Sequence, residues 1–251
     1  MEIIKNVFSL PGHRGIYFKD LDLVAISDLQ LGEERVLAEE SKIFVPEIQL
    51  NIVINEIRVL HELTGAGRLL INGDLKHGFA GASKQEWFEI EKMYKEVNKL
   101  YNEMVVVRGN HDNYLANISS FLGLTLKDEH FEKGYKFVHG HKLVGLAGVS
   151  TLVIGHEQPA VLLRKSFDSV KMPVILYGKT ALGINFICLP AFSPISSGVE
   201  VNVVSKENLL SPFFKSIVDI DDLYAVAIDP EVGEIALPKI GLLRQFLQDT
   251  G

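Results

Sequence analysis

The chain has 251 residues, 47% of them apolar and 23% charged, which is enough for a large buried core and too hydrophobic for a disordered segment. A net charge of −7 argues against a protein that coats nucleic acid by bulk phosphate neutralisation, yet it leaves room for a phosphate substrate reached through bound cations. No apolar run is long enough for a membrane span, so no membrane partner is expected, and the single cysteine, Cys188, excludes an internal disulfide framework and fits a reducing cytoplasm.

Read in chain order, several short apolar runs stop abruptly at polar residues. "LDLVAIS" stops at Asp28, "RLLIN" at Gly73-Asp74, and "MVVVR" at Gly109-Asn110-His111-Asp112. "YKFV" stops at His139-Gly140-His141, and "TLVI" at Gly155-His156. Their length, β-branching and glycine punctuation favour strands. A helical pattern runs from about Pro46 to Leu63 through Ile48, Ile52, Ile57, Leu60 and Leu63, and ends at Gly65. A second, from about Lys84 to Tyr101, carries Trp87, Ile90, Tyr94, Val97 and Tyr101, with Ser83 and Glu86 as a capping box. Trp87 fits this stripe and reads as core.

The order β-α-β-α-β predicts parallel strands joined by crossover helices. Beyond about residue 160 further strands are expected near Val174–Tyr177, Ile184–Leu189, Val201–Val204 and Tyr224–Ile228, with a final helix near Leu242–Gln248. Cys188, in the run "INFICLP", reads as a small buried hydrophobe. No Pro/Gly/Ser-rich linker divides the chain. Residues 1–251 are therefore read as one domain, with a motif-bearing half at 1–160 and a strand-rich half at 161–251.

In open α/β sheets, ligands bind just beyond the carboxyl ends of the strands. Here such ends carry Asp28, Asp74, Asn110 with His111, His139 and His156. A single strand-end aspartate or histidine means little, since either can be satisfied structurally. Carboxylates, an amide oxygen and imidazoles converging on one rim describe a site for Mn, Fe, Zn or Mg ions. "GNHD" alone is also consistent with an ordinary turn; its company is what favours a site.

The ordered strings "SDLQLG", "NGDLKH", "RGNHD", "VHGH" and "IGHEQP" resemble the five signature motifs of the calcineurin-like metallophosphoesterases. The likeness is greatest to archaeal phosphoesterases related to the SbcD repair nucleases and to bacterial ligase-associated endonucleases, which "NGDLKH" and "LPAFSPISSGVEVN" also resemble. The resemblance implies an α/β fold in which two β-sheets pack as a sandwich flanked by helices, the βαβα arrangement. It also implies two metal ions roughly 3.5–4 Å apart, the usual two-metal spacing. Asp74 would bridge both ions, with Asn110, His139 and His156 completing the second and Asp28 binding the first. Water activated between the ions would attack phosphorus in line. His111 would protonate the leaving oxygen or stabilise the transferring phosphoryl, held in orientation by Asp112. Manganese is the expected metal, with Mg²⁺, Fe²⁺ and Zn²⁺ as alternatives. DNA or nucleotide phosphoesters are the expected substrates, and a homodimer is left open.

Two positions depart from the pattern. Where the family has Asp-x-His, this chain has Asp28-Leu29-Gln30, and where it has Gly-His-x-His, this chain has Gly155-His156-Glu157-Gln158. Both missing histidines would serve the first ion. Either the amide oxygens of Gln30 and Gln158 replace them, shifting that site towards Mn or Mg, or the first ion is lost. Loss would lower the rate roughly a thousandfold or more and leave a binding or scaffold protein.

Other residues have candidate roles. His77 and His141 are candidates for the substrate rim, each with an ordinary structural alternative. Arg108 is a candidate phosphate contact, with a structural ion pair as the simpler reading. Glu33 and Glu34 read as surface charges or as partners of a metal ligand. His13, His61 and His130 receive no role.

Overall fold

The computed structural model describes residues 1–42, 48–78, 84–165 and 168–249. Seven strands make the first sheet: β1 (Glu2–Ile4), β2 (Val7–Leu10), β3 (His13–Phe18), β4 (Leu23–Ile26), β5 (Arg68–Asn72), β6 (Glu103–Val107) and β7 (Thr125–Lys127), in that spatial order. The first four are antiparallel neighbours, and β4 to β7 run parallel. Parallel strands are covered on both faces, which is why "LVAI" and the "MVVV" of β6 are apolar at consecutive positions and are buried throughout.

The second sheet contains β8 (His130–Glu132), β9 (Tyr135–Phe137), β10 (Thr151–Ile154), β11 (Pro159–Lys165), β12 (Asp168–Lys179), β13 (Asn185–Cys188), β14 (Val199–Glu200), β15 (Tyr224–Asp229) and β16 (Gly233–Leu237). Strands β9, β10 and β13 are parallel, and β12 turns back antiparallel to β13.

The two sheets face each other across one apolar layer. Ile16, Phe18, Ala25, Leu70 and Val105 of the first sheet meet Phe137, Val153, Ile175, Ile187 and Val226 of the second. Helix α1 (Glu33–Ser41) follows the loop after β4, and on the outside of the first sheet lie helices α2 (Gln49–Thr64), α3 (Lys84–Val97) and α4 (Leu115–Leu122); these three contribute Val53, Ile57, Ile90, Met93 and Ile118 to its core. Phe213, Phe214, Val218 and helix α5 (Ile240–Asp249) cover the outside of the second. Two β-sheets packed as a sandwich and flanked by helices is the fold class the motifs imply.

Several details differ from the sequence expectation. The buried stripe of α2 is Val53, Ile54, Ile57 and Leu60, whereas Ile48, Ile52 and Leu63 are exposed. The apolar periodicity there has two registers, and the sheet selects the one centred on Ile57. Helix α2 does end as expected, with Gly65 at φ 62° donating its N–H to the His61 carbonyl at 2.7 Å. Helix α3 stops at Val97, and Tyr101 instead donates its hydroxyl to the Ile57 carbonyl at 3.2 Å. Pro46 and Ser83, the expected helix start and cap, lie outside the described residues. Near Val201–Val204 the pairing strand is Val199–Glu200, and residues from Val201 turn away. The antiparallel hairpins β1–β3, helices α1 and α4, and strands β11 and β16 carried no element assignment in the sequence.

Among the described residues, no helix is long and apolar enough to cross a membrane.

A candidate metal centre where the two sheets end

The carboxyl ends of β4, β5 and β6 in one sheet and of β9 and β10 in the other come together at one rim. Main-chain bonds stitch the loops: Asp28 N–H donates to the Gly73 carbonyl at 3.0 Å, Gly155 N–H to the His139 carbonyl at 2.8 Å, and Phe192 N–H to the Ser27 carbonyl at 2.8 Å. The approach is too close for any side chain at Gly73, where a Cβ would lie 2.2 Å from His139 Nδ1, and at two further glycines. A Cβ on Gly109 would lie 2.1 Å from Asp74 Oδ1, and one on Gly155 would lie 1.8 Å from Ser27 Oγ. Asp28, Gln30, Asp74, His156 and Gln158 all have left-handed backbone, with φ between 49° and 66°. Each such residue costs on the order of 1 kcal/mol or more, and clustering of this strain is typical of functional sites.

At the centre, Asp74, His139 and His156 each present one ligand atom within 4.8 Å of the others. His139 is buried, and its ring spans the site: Nε2 lies 3.4 Å from Asp74 Oδ2 and 3.0 Å from Asn110 Oδ1, while Nδ1 lies 3.1 Å from the Asn72 carbonyl. The His139 and His156 rings are 5.0 Å apart, and His141 lies 5.5 Å from His139 with a buried Nδ1 that has no hydrogen-bond partner among the described residues. Asp74 Oδ1 accepts the main-chain N–H of His111 at 3.0 Å.

His111 Nδ1 lies 2.5 Å from the His77 carbonyl, which leaves Nε2 directed at the centre, 3.7 Å from Asp74 Oδ2. The anchor of this ring is therefore a carbonyl of the "NGDLKH" loop. Asp112 serves differently from the expected orienting role. Its Oδ2 accepts from the Gly109 N–H at 2.8 Å and its Oδ1 from the Leu75 N–H at 2.9 Å, so it ties the two loops together. The His77 ring is 5.7 Å from that of His111.

Protonation follows from these contacts. Burial alone would lower the pKa of His139, but the hydrogen bond to Asp74 and the charges of Asp28 and Asp74 outweigh it and raise the ring to about 9. Burial opposes ionisation of Asp74 too, and His139 together with His111 more than compensates, holding that carboxyl below its ordinary value. Burial, with the His139 charge beside it, pushes His156 down to about 4. Burial pushes Asp28 up to about 6. Without a metal, the His139 imidazolium thus supplies the positive charge between Asp74 and Asn110.

Asp74, Asn110, His139 and His156 fit a divalent cation. One anionic oxygen, one amide oxygen and two imidazoles lie together, with Asp74 and His139 buried and Asn110 and His156 half-buried, and the Asn72 carbonyl can keep the His139 Nδ1–H while Nε2 turns to the metal. Asp28 lies outside this group. Its Oδ2 accepts from the Ser27 hydroxyl at 2.5 Å and the His156 N–H at 3.1 Å, and its Oδ1 from Gln158 Nε2 at 3.2 Å. Gln158 Oε1 in turn accepts from the Ser196 hydroxyl at 2.7 Å. Gln30 is buried, its N–H on the Asp74 carbonyl and its own carbonyl accepting from the Gln49 side chain at 3.0 Å.

The remaining candidates settle nearby or at the surface. Arg108 pairs with Asp128 at 3.3 Å, both partly exposed. Glu34 is not a surface charge: it is buried and accepts from the N–H groups of Ile48 and Gln49, capping α2. Glu33 accepts from the Ser193 hydroxyl at 3.1 Å. Asn72, Ser27 and Ser196 were not singled out in the sequence. Asn72 had a signal, since it closes the strand just before Gly73-Asp74. Ser196 lies in "LPAFSPISSG", a string that resembles the family without pointing to a partner for Gln158.

A carboxylate–amide–imidazole cluster set partly below the surface, at the strand ends of a two-sheet sandwich, is the donor set that a metal-dependent phosphoesterase requires. The family model of the calcineurin-like phosphoesterases matches residues 21–178, more than half of the chain, and the protein belongs to that family. Among solved structures, the nuclease MPE of Pseudomonas putida is similar in fold, with a TM-score of 0.62 at 16% identity, over 90% of this chain and 99% of that one. The phosphoesterase YfcE of E. coli gives a TM-score of 0.39 at 18% identity, over 87% of this chain and 98% of that one. No curated protein matches the chain significantly.

Proposed function

We propose that this protein hydrolyses phosphoesters with a divalent metal ion, and that DNA or nucleotide phosphodiesters are its substrates, as in the SbcD-related and ligase-associated nucleases its motifs resemble. The observation that carries the reading is the gathering of Asp74, His139 and His156 donor atoms within 4.8 Å, with His111 Nε2 held 3.7 Å from Asp74. A cation held there by Asp74, Asn110, His139 and His156 would supply charge stabilisation to a phosphoryl group and acidify water. Manganese suits this mixture of oxygen and imidazole donors, as do Mg²⁺, Fe²⁺ and Zn²⁺ to differing degrees.

His111 is the proton donor in this reading. Its Nδ1–H is fixed on the His77 carbonyl, so the neutral ring offers Nε2 to the site and the protonated ring offers a proton there. His141 and His77 line the approach for substrate, each with a buried Nδ1 that lacks a hydrogen-bond partner among the described residues.

The test is hydrolysis of bis(p-nitrophenyl) phosphate and of single-stranded DNA by the purified protein with Mn²⁺. Metal-dependent turnover is expected, reduced about a hundredfold or more by His111→Ala with metal content unchanged. A second reading, a homologue that binds phosphoesters without turning them over, is favoured by the occupied hydrogen bonds of Asp28. Background activity that Gln30→His with Gln158→His switches on would establish that second reading.

A further inference from the structure

The half of the site around Asp28 does not fit a cation as the family's pattern requires. Asp28 is fully buried, and both its oxygens are already committed to donors. Gly155 closes over it so tightly that a Cβ there would lie 2.7 Å from Asp28 Oδ2. The orientation of the Gln158 amide follows from chemistry: its oxygen would repel the Asp28 carboxylate, whereas its NH₂ can donate to it and leave the oxygen for the Ser196 hydroxyl. An amide nitrogen is not a metal ligand. To coordinate an ion through oxygen, Gln158 would have to turn its amide, giving up its donation to Asp28 and its acceptance from the Ser196 hydroxyl. Among the described residues, the group of metal-ligating side chains brought together is Asp74, His139 and His156, and Asp28 is not part of it.

We infer that this chain holds a single divalent cation, at Asp74, Asn110, His139 and His156, and that the Gln158 amide, braced by Ser196, answers the Asp28 carboxylate where the family pattern has another ion. The inference rests on the metal-dependent reading above and specifies its stoichiometry. It also gives the paired histidine-to-glutamine changes one physical meaning. Both remove ligands of one ion, and one of the replacements supplies the hydrogen bond that keeps the orphaned aspartate tolerable in the interior.

The deciding measurement is the metal content of the Mn²⁺-saturated, dialysed protein, with the electron paramagnetic resonance spectrum of the bound ion. One Mn²⁺ per chain with the hyperfine pattern of an isolated ion is expected. Two per chain, or the spectrum of an exchange-coupled pair, would overturn the inference while leaving the phosphoesterase reading intact. One ion per chain without turnover would do the reverse. No tightly bound ion at all would end both. The variant Gln30→His with Gln158→His should take up a second ion, and a properly folded variant that still binds one would refute the role given to the glutamines. Should that variant fail to fold, Gln158→His alone and the wild-type count and spectrum still decide.

Discussion

Asp74 and Asp28 sit at matching places, each just past the carboxyl end of one of two adjacent parallel strands, with left-handed φ of 51° and 56°. What differs is how each charge is answered. Around Asp74 the neighbours are donors to a common point: His139, His156 and Asn110 converge, and in the absence of metal a proton on His139 fills the centre. Around Asp28 the neighbours are a hydroxyl, a main-chain N–H and an amide, all donating inward, so the carboxylate is finished as a structural group. Two aspartates with one backbone geometry thus have opposite fates, set by whether their partners are bases that can shed a proton to a metal or donors that cannot. His139→Gln attacks this contrast most directly. It should drop bound metal to near zero and turnover by about a thousandfold or more, as expected for losing several kcal/mol of electrostatic stabilisation. Metal content and kcat/KM together check it, and retained metal would mean that Asp74 and His156 suffice.

The same contrast has a pH signature. A cation must displace the proton that His139 holds up to pH about 9, while His156, lowered to about 4, and Asp74, held below its ordinary value, need lose none at neutral pH. Each unit of pH below 9 therefore weakens metal binding about tenfold, and titration calorimetry with Mn²⁺ should find affinity falling roughly a hundredfold from pH 8 to pH 6. Calorimetry in buffers of different ionisation heat should count about one proton released per ion. An affinity flat across that range would mean that His139 is already neutral.

How much of this was legible in the sequence follows from what the physics makes local. Strand-end polar residues after apolar runs announced the rim, because a parallel strand must be apolar along its length and the chemistry has to begin where it stops. The first-sheet strands β4 to β6 were readable for that reason, and the C-terminal β13 and β15 because consecutive residues of each are buried, whatever the direction of their neighbours. The exposed Ile48, Ile52 and Leu63 and the buried Glu34 were not, since only the packed sheet decides which stripe of α2 faces inward and which carboxylate reaches its N-terminus. The pairings of Gln158 with Ser196 and Asp28 join residues as much as 130 positions apart in the chain, and no local pattern encodes them.

Asp112 separates support from ligation. Its buried carboxylate accepts main-chain N–H groups from both loops that carry Asp74 and Asn110, and burial raises its pKa. Asp112→Asn turns one acceptor into a donor facing another donor, which should destabilise the fold by about 1–3 kcal/mol. Chemical denaturation should show that loss, while metal saturated at high Mn²⁺ remains near the wild-type count. A large loss of metal without loss of stability would instead give Asp112 a direct part in the centre.

Arg108 offers the smallest expected effect and the sharpest limit on where the site ends. It follows β6 immediately and precedes the glycine of "GNHD", so its sequence position alone admits a phosphate contact. Its guanidinium nevertheless lies 3.3 Å from Asp128, with about two-fifths of the arginine side chain and two-thirds of the aspartate side chain exposed. An ion pair that open to solvent contributes less than about 1 kcal/mol and weakens further with salt. Arg108→Ala should therefore leave kcat and metal content unchanged and shift the denaturation midpoint only slightly. If the side chain instead reaches a substrate phosphate, KM for a DNA substrate would rise while KM for a small phosphodiester would not. That split, measured at low salt where a cationic contact is strongest, distinguishes a substrate-binding arginine from one that only pairs with its neighbour.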